Sequence, residues 1–303
     1  MRPRTRLRNP SRCLAALAAA LLCLAGSASA ELRVTDDSGS TVVLPRPAQR
    51  IVSLSPHLTE QLFAIGAGDR IVGTTDFADY PEAARSLPRV ARAHNVDLEG
   101  VTAARPDLIV VWGTGFPPAT LAALRRLDVP VVVDEPSTLD AIAVSMLRLG
   151  QLTAVPGAGE AAANYRAAIE RLRARYAGRS EVGVFYQIWQ QPLMTLGGRH
   201  VLSEALRICG ARNVFEKLAP IAPQVSVEAV LAADPQMIVT AEPAALDRGA
   251  LDLWKRFPAQ RAVAAGNLVT IDADRINRHT PRLAEELALL CERIDDARRR
   301  GRT

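Results

Sequence analysis

An α/β chain of two similar lobes, each a mainly parallel sheet flanked by helices and joined by one long rigid helix, is predicted by three observations. Short strands apolar on both faces alternate with helical stretches, the pattern of a parallel sheet covered on two sides. Two stretches recur in the same order. TEQL with Gly66-Ala67 returns as SEAL with Gly210-Ala211, an offset of 144 between Thr59 and Ser203, and LEGVTAARPDLIVV from Leu98 returns as VEAVLAADPQMIVT from Val227, an offset of 129. Between the copies lies GEAAANYRAAIERLRARY, in which Tyr165, Ile169, Leu172 and Tyr176 fall at helical spacing on one stripe while Arg166, Glu170, Arg171 and Arg175 face away.

In chain order, residues 1–30 read as an export signal. Five arginines precede an apolar run from Leu14 to Leu24, and Ala28-Ser29-Ala30 precede Glu31. The run is shorter than the ~20 residues of a spanning helix, and Leu21-Leu22 before Cys23 make no lipid-attachment signature, so a soluble secreted product is expected. The precursor carries a formal net charge of +5, but the signal removes five arginines and no acid, which leaves 32 basic residues against 32 acidic. Without a net basic charge there is no electrostatic case for a nucleic-acid partner. The remaining cysteines, Cys209 and Cys291, suggest one disulfide in an oxidising compartment, with two buried thiols as the other reading.

The N-terminal lobe, residues 31–155, starts with a hairpin around Asp36-Asp37-Ser38-Gly39. Strands are expected at 51–54, 71–73, 108–112 and 131–133. Ser55-Pro56-His57 reads as a turn, with a helix opening at Thr59-Glu60 and stopping at Gly66; further helices are expected at 98–104, 121–127 and 138–152. The connecting helix occupies 156–178, between Pro156 and Gly178. The C-terminal lobe, 179–303, begins with the strand VGVFYQIW, ends its sheet at 267–273 and closes with a helix over 281–293.

Ligands of open α/β sheets bind beyond the carboxyl ends of the strands. The residues that follow the strands are His57, Phe77, Tyr80, Trp112 and Phe116 in one lobe, and Tyr186, Trp189, Gln190, Glu242, Asp274, Asn277 and Arg278 in the other. Six of the thirteen aromatics are among them, which suits a large, flat, partly apolar ligand. All four histidines, His57, His94, His200 and His279, are placed in loops, and His57 and His279 are possible axial ligands for a metal held in a macrocycle. No close-spaced cluster announces a bare zinc site. The chain holds no G-x-S-x-G elbow, P-loop, H-E-x-x-H or Gly-rich dinucleotide turn, so no enzyme is expected; an Asp274/His279 acid–base pair is the remote alternative.

RIVSLSPHLTE, GTTDFADYP, NVDLEGV with ARPDLIVVW, VFYQIW, LRICGARNVF, PQVSVEAVLAADP and RHTPR together resemble the helical-backbone (class III) substrate-binding proteins of bacterial ABC importers, most closely the cobalamin-binding BtuF type. The resemblance covers nearly all of the chain after residue 30. It implies a monomeric periplasmic receptor that captures cobalamin or a related corrinoid as transported ligand, uses no cofactor, and delivers its cargo to a membrane permease and ATPase complex. Haem and a ferric siderophore or other metal chelate are the alternatives. It further implies that Phe77, Trp112, Asp274 and Arg278 occupy cleft positions, and that Glu99 and Glu228, equivalent in the repeat, dock on the permease. The chain departs from the family at Ala93, Met194 and Ala222, where the family carries aromatics.

Overall fold

A computed structural model describes residues 31–92, 95–243 and 249–301. The export signal and the expectations at Ala93 and His94 lie outside the described residues. Lobe one contains a hairpin, β1 (Leu32–Thr35) and β2 (Thr41–Leu44), and six further strands: β3 (Ile51–Ser53), β4 (Ile71–Thr75), β5 (Arg89–Arg92), β6 (Asn95–Val96), β7 (Leu108–Trp112) and β8 (Val131–Asp134). Its helices are α1 (Pro56–Ala64), α2 (Leu98–Ala103), α3 (Pro118–Leu124) and α4 (Leu139–Thr153). The connecting helix is α5 (Gly157–Tyr176). Lobe two holds β9 (Val182–Trp189), β10 (Met194–Thr195), α6 (Val201–Ile208), β11 (Ala211–Asn213), α7 (Val227–Ala233), β12 (Met237–Glu242), α8 (Arg261–Ala264), β13 (Leu268–Asp272), α9 (Ala273–Ile276) and α10 (Arg282–Arg300).

The sheet of lobe one runs β6-β5-β4-β3-β7-β8, parallel except for β6, and that of lobe two runs β10-β9-β12-β13, with β11 also on β9 and only β10 antiparallel. Alternate residues of the central strands feed two cores, as the double-sided apolar runs require. Val110 and Val132 face α1 and α4, while Ile109, Val111, Val131 and Val133 face α2 and α3. The hairpin turn seals the exposed edge of β8: Asp37 N donates to Val133 O, and Val133 N donates to the Asp36 carboxylate, both at 3.0 Å.

One apolar core passes through both lobes. Ile65 and Leu149 of lobe one, the stripe Tyr165, Ile169, Leu172 and Tyr176 of α5, and Leu206 and Leu287 of lobe two belong to the same cluster. The helix is therefore packed along its length on both lobes. At 20 residues it spans about 30 Å. Cys209, at the end of α6, and Cys291, on α10, form a disulfide with a Cα–Cα separation of 4.8 Å. Closing a loop across 82 residues removes unfolded-chain entropy worth about 4–5 kcal/mol.

Two local expectations are corrected. Ser55-Pro56-His57 is no turn: Pro56 opens α1, since its fixed φ and missing N–H suit a first helical position, and His57 is thereby helical and buried. Lobe one also has strands β5 and β6, whose arginine-bearing, short sequences carry little strand signal.

Candidate ligand-binding cleft

The carboxyl ends of both sheets lead to residues that touch across the lobe boundary. Trp112 ends β7, 36% exposed, and its indole N–H donates to Glu135 Oε1 at 3.0 Å. Glu135 is itself fixed: its carboxylate accepts from Thr114 N at 2.7 Å, and its own N–H donates to Asp37 Oδ2 at 2.7 Å. The Trp112 ring is thus held at a set tilt. The loop after β4 displays Phe77, 73% exposed with a left-handed φ of 63°, and Tyr80, whose ring lies 3.9 Å beneath the Arg282 guanidinium. From lobe two, Trp189 is 58% exposed, with its indole N–H bonded to Gln191 O.

Below these rings the lobes are tied by charge. Arg278 Nη1 donates to Glu60 Oε1 and Asp79 Oδ1, both at 2.7 Å, and its Nη2 to Asp274 Oδ1 at 2.9 Å. Arg282 Nε donates to Glu60 Oε2 at 2.9 Å. Burial works to raise the Asp79 carboxyl, but the Arg278 guanidinium outweighs it and holds the group below its ordinary value. Gln61 Nε2 donates to the His279 carbonyl at 2.6 Å. The sequence repeat gains a physical meaning here. Thr59 and Ser203 hydroxyls bond within their own lobes, whereas the glutamate after each crosses over: Glu60 to Arg278 and Arg282, and Glu204 Oε2 to the N–H of Leu139 at 2.9 Å.

The cleft floor contains a recess of about 230 Å³ lined by Trp112 from lobe one and by Tyr186, His200, Ile276, Asn277 and His279 from lobe two. Rings run Trp112–His57–His279, each pair 5.7 Å between centroids and edge-on. Burial, aided by His200, pushes His279 down to about 4, and burial alone brings His200 to about 4, so both imidazoles are neutral at pH 7. His57 is driven well below its ordinary value by burial, then by His279 and Arg278. Its Nε2 stands 3.9 Å from Asp134 Oδ2, too far for a hydrogen bond; with a neutral imidazole the two are neighbours rather than an ion pair.

Of the residues expected at a ligand surface, Phe77, Tyr80, Trp112, Trp189 and Gln190 are exposed, and Asp274 and Asn277 at least partly so. Others are placed differently. Phe116 is buried in the outer core of lobe one, because the Gly113-Thr114-Gly115 turn folds the chain back over β7 and β8. Tyr186 lies under the floor, 2% exposed, its hydroxyl without a partner among the described residues. Glu242 is buried at the end of β12 beside Leu268 and Thr270. Arg278 is buried and committed to three carboxylates. His57 is helical, and His200 caps α6. Glu60, Asp79, Glu135 and Arg282 also belong to this region; Glu60 left a signal through its repeat partner Glu204, Asp79 and Arg282 lie in the GTTDFADYP and RHTPR stretches, and Glu135 left none. Glu99 and Glu228 are exposed in the first turns of α2 and α7, capped in like fashion by Asp97 on Gly100 N and Ser226 on Ala229 N. Among the described residues no group of three His, Cys, Asp or Glu is placed to hold a bare metal ion.

Two parallel-sheet lobes that face one another across an aromatic cleft, braced by a single long helix, define a two-lobed binding protein. This chain belongs to the Periplasmic binding protein family, which matches residues 51–275. It is 36% identical over 254 residues to the Vitamin B12-binding protein of Vibrio cholerae serotype O1, a match spanning 83% of this chain and 91% of that protein. The crystal structure of the periplasmic vitamin B12 binding protein BtuF of Vibrio cholerae superposes with a TM-score of 0.75 at 35% identity, covering 83% of this chain and 98% of that one. The apo periplasmic heme-binding protein RhuT from Roseiflexus sp. RS-1 superposes with a TM-score of 0.73 at 25% identity, covering 83% and 99%. These relatives are binding proteins, not enzymes.

Proposed function

We propose that this protein is the periplasmic receptor of an ABC importer, exported by residues 1–30, and that it captures cobalamin or a related corrinoid between its lobes and delivers it to a membrane permease. The observation that carries this reading is the set of aromatic rings held out to solvent at the ends of the strands. Trp112 is pinned by Glu135, Tyr80 lies under Arg282, and Phe77 and Trp189 also follow strand ends, with 36–73% of each surface exposed. Rings of that size are left in water at a cost unless a flat ligand covers them. The vitamin B12-binding relatives supply the ligand class. Asp274, half-exposed at the rim beside Asn277, is the acid that faces the amides of such a ligand. Glu99 and Glu228 present one carboxylate per lobe for docking on a twofold permease.

A haem receptor is the second reading, favoured by the unengaged imidazole of His279 and by the heme-binding neighbour. Titrating the chain from residue 31 onward with cyanocobalamin and, separately, with hemin decides between them. Quenching of Trp112 and Trp189 fluorescence by cyanocobalamin is expected. A Soret shift with hemin and no response to cyanocobalamin would replace the first reading by the second.

A further inference from the structure

Hydrogen bonding separates the three imidazoles at the cleft floor. His57 Nδ1 is engaged by the Ser55 hydroxyl at 2.6 Å, and its Nε2 is buried beneath the surface, out of reach of any ligand. His200 Nδ1 accepts the N–H of Leu202 at 3.1 Å, which puts the ring proton on Nε2 and leaves that ring a donor. His279 differs from both. Its backbone carbonyl is held by Gln61, its ring rests edge-on against His57, and its ring nitrogens make no hydrogen bond with any described residue while the ring lines the recess. The ring is therefore fixed in position with a lone pair unspent. Burial keeps it neutral at pH 7, the state a metal ligand needs.

The recess is too small for a macrocycle. Its 230 Å³ lies below the roughly 300–1,000 Å³ of sites that enclose whole ligands. A recess of that size can admit one axial group of a larger ring system. Resting on the corrinoid reading, we infer that His279 is an axial-ligand donor, its imidazole nitrogen binding the cobalt of a corrinoid whose outward axial position carries exchangeable water. The step is a ligand substitution. The cobalt(III)–water bond breaks, the nitrogen lone pair forms the new bond, and one water leaves. No electron is transferred, and no proton is released because the imidazole starts neutral. A corrinoid with a tightly held cyanide at that position docks on the same aromatics without this bond, so the receptor selects between axial states of one vitamin.

Aquacobalamin and cyanocobalamin are added separately to the chain from residue 31 onward, with visible spectra and tryptophan fluorescence recorded together. With aquacobalamin the bands are expected to move to where free imidazole places them, and aquacobalamin is expected to bind more tightly than cyanocobalamin. His279→Ala and His279→Gln are each expected to lose both the shift and the preference, with far-ultraviolet circular dichroism confirming the fold. Binding of aquacobalamin without a band shift, or a shift that survives in both variants, overturns the assignment while leaving the corrinoid receptor standing. No quenching by either cobalamin overturns the receptor reading, and the axial role falls with it.

Discussion

Asp134 carries a carboxylate to a place that charges avoid. It is 1% exposed; one oxygen lies 3.1 Å from Arg148, and the other has no hydrogen-bond partner among the described residues. Burial is the dominant influence and raises its pKa from 3.8 to about 6. The folded state then holds a proton that the unfolded chain has already released, so this group's stabilisation is complete below pH 4 and lost as pH rises through about 6. A rise of this size corresponds to about 3 kcal/mol. Asp134→Asn keeps the shape and removes the titration, with Asp37 still neutralising Arg148. The difference in urea midpoint between the variant and the parent is expected to grow in the variant's favour from pH 4 to pH 6.5; a constant difference would show that Asp134 ionises freely. Arg278 marks the limit of reading at this scale. The sequence places it after a strand with ligand residues, but cannot show that Glu60, Asp79 and Asp274 consume its donors, since two of those partners lie 218 and 199 positions away. The exposure of Trp112 and Phe77 was legible because a strand-end aromatic is local information, and the bracing by Glu135 was not, because it rests on contacts with Trp112, Thr114 and Asp37 that only the fold brings together.

Helix α4 meets the connecting helix α5 at Gly150, where a Cβ would lie 2.1 Å from the Cβ of Ala158. Neither atom sits on a flexible chain, so the helices would have to part. Helix propensity alone favours Ala over Gly by about 1 kcal/mol, and overpacking costs about 1–3 kcal/mol. Overpacking wins, because α5 is also held on lobe two and cannot move away alone. Gly150→Ala is expected to lower stability by about 1–2 kcal/mol in chemical denaturation, and Ala158→Gly in the same chain to recover part of the loss. A stabilised Gly150→Ala protein would mean that this helix pair is loosely packed. The stripe of α5 was legible from spacing alone: Tyr165, Ile169, Leu172 and Tyr176 are all buried. What spacing could not show is that α5 shares one core with both lobes, since its partners Ile65, Leu206 and Leu287 are set by topology.

The whole molecule is built of two like halves that were visible as repeats, and the repeat explains more than resemblance between lobes. It places Glu60 and Glu204 where each crosses to the other lobe, and Glu99 and Glu228 in the exposed first turns of equivalent capped helices. The first pair is buried or bonded within the molecule, and the second is exposed to water. On the docking proposed above, a receptor with one carboxylate per lobe would meet a twofold permease through two similar half-sites, whose contributions add when the sites are far apart. If each carboxylate docks on an arginine of the permease, as the family resemblance implies, each contact is worth about 1.5–3 kcal/mol, or roughly tenfold or more in docking affinity. Glu99→Arg or Glu228→Arg alone is then expected to slow corrinoid uptake by cells about tenfold. The double reversal abolishes it, because both half-sites then repel. Ligand affinity measured on the isolated receptor stays at its parent value in all three, since neither side chain lines the cleft floor. Uptake that survives the double reversal would remove these glutamates from the docking surface, and a parallel loss of ligand affinity would place them at the binding site instead.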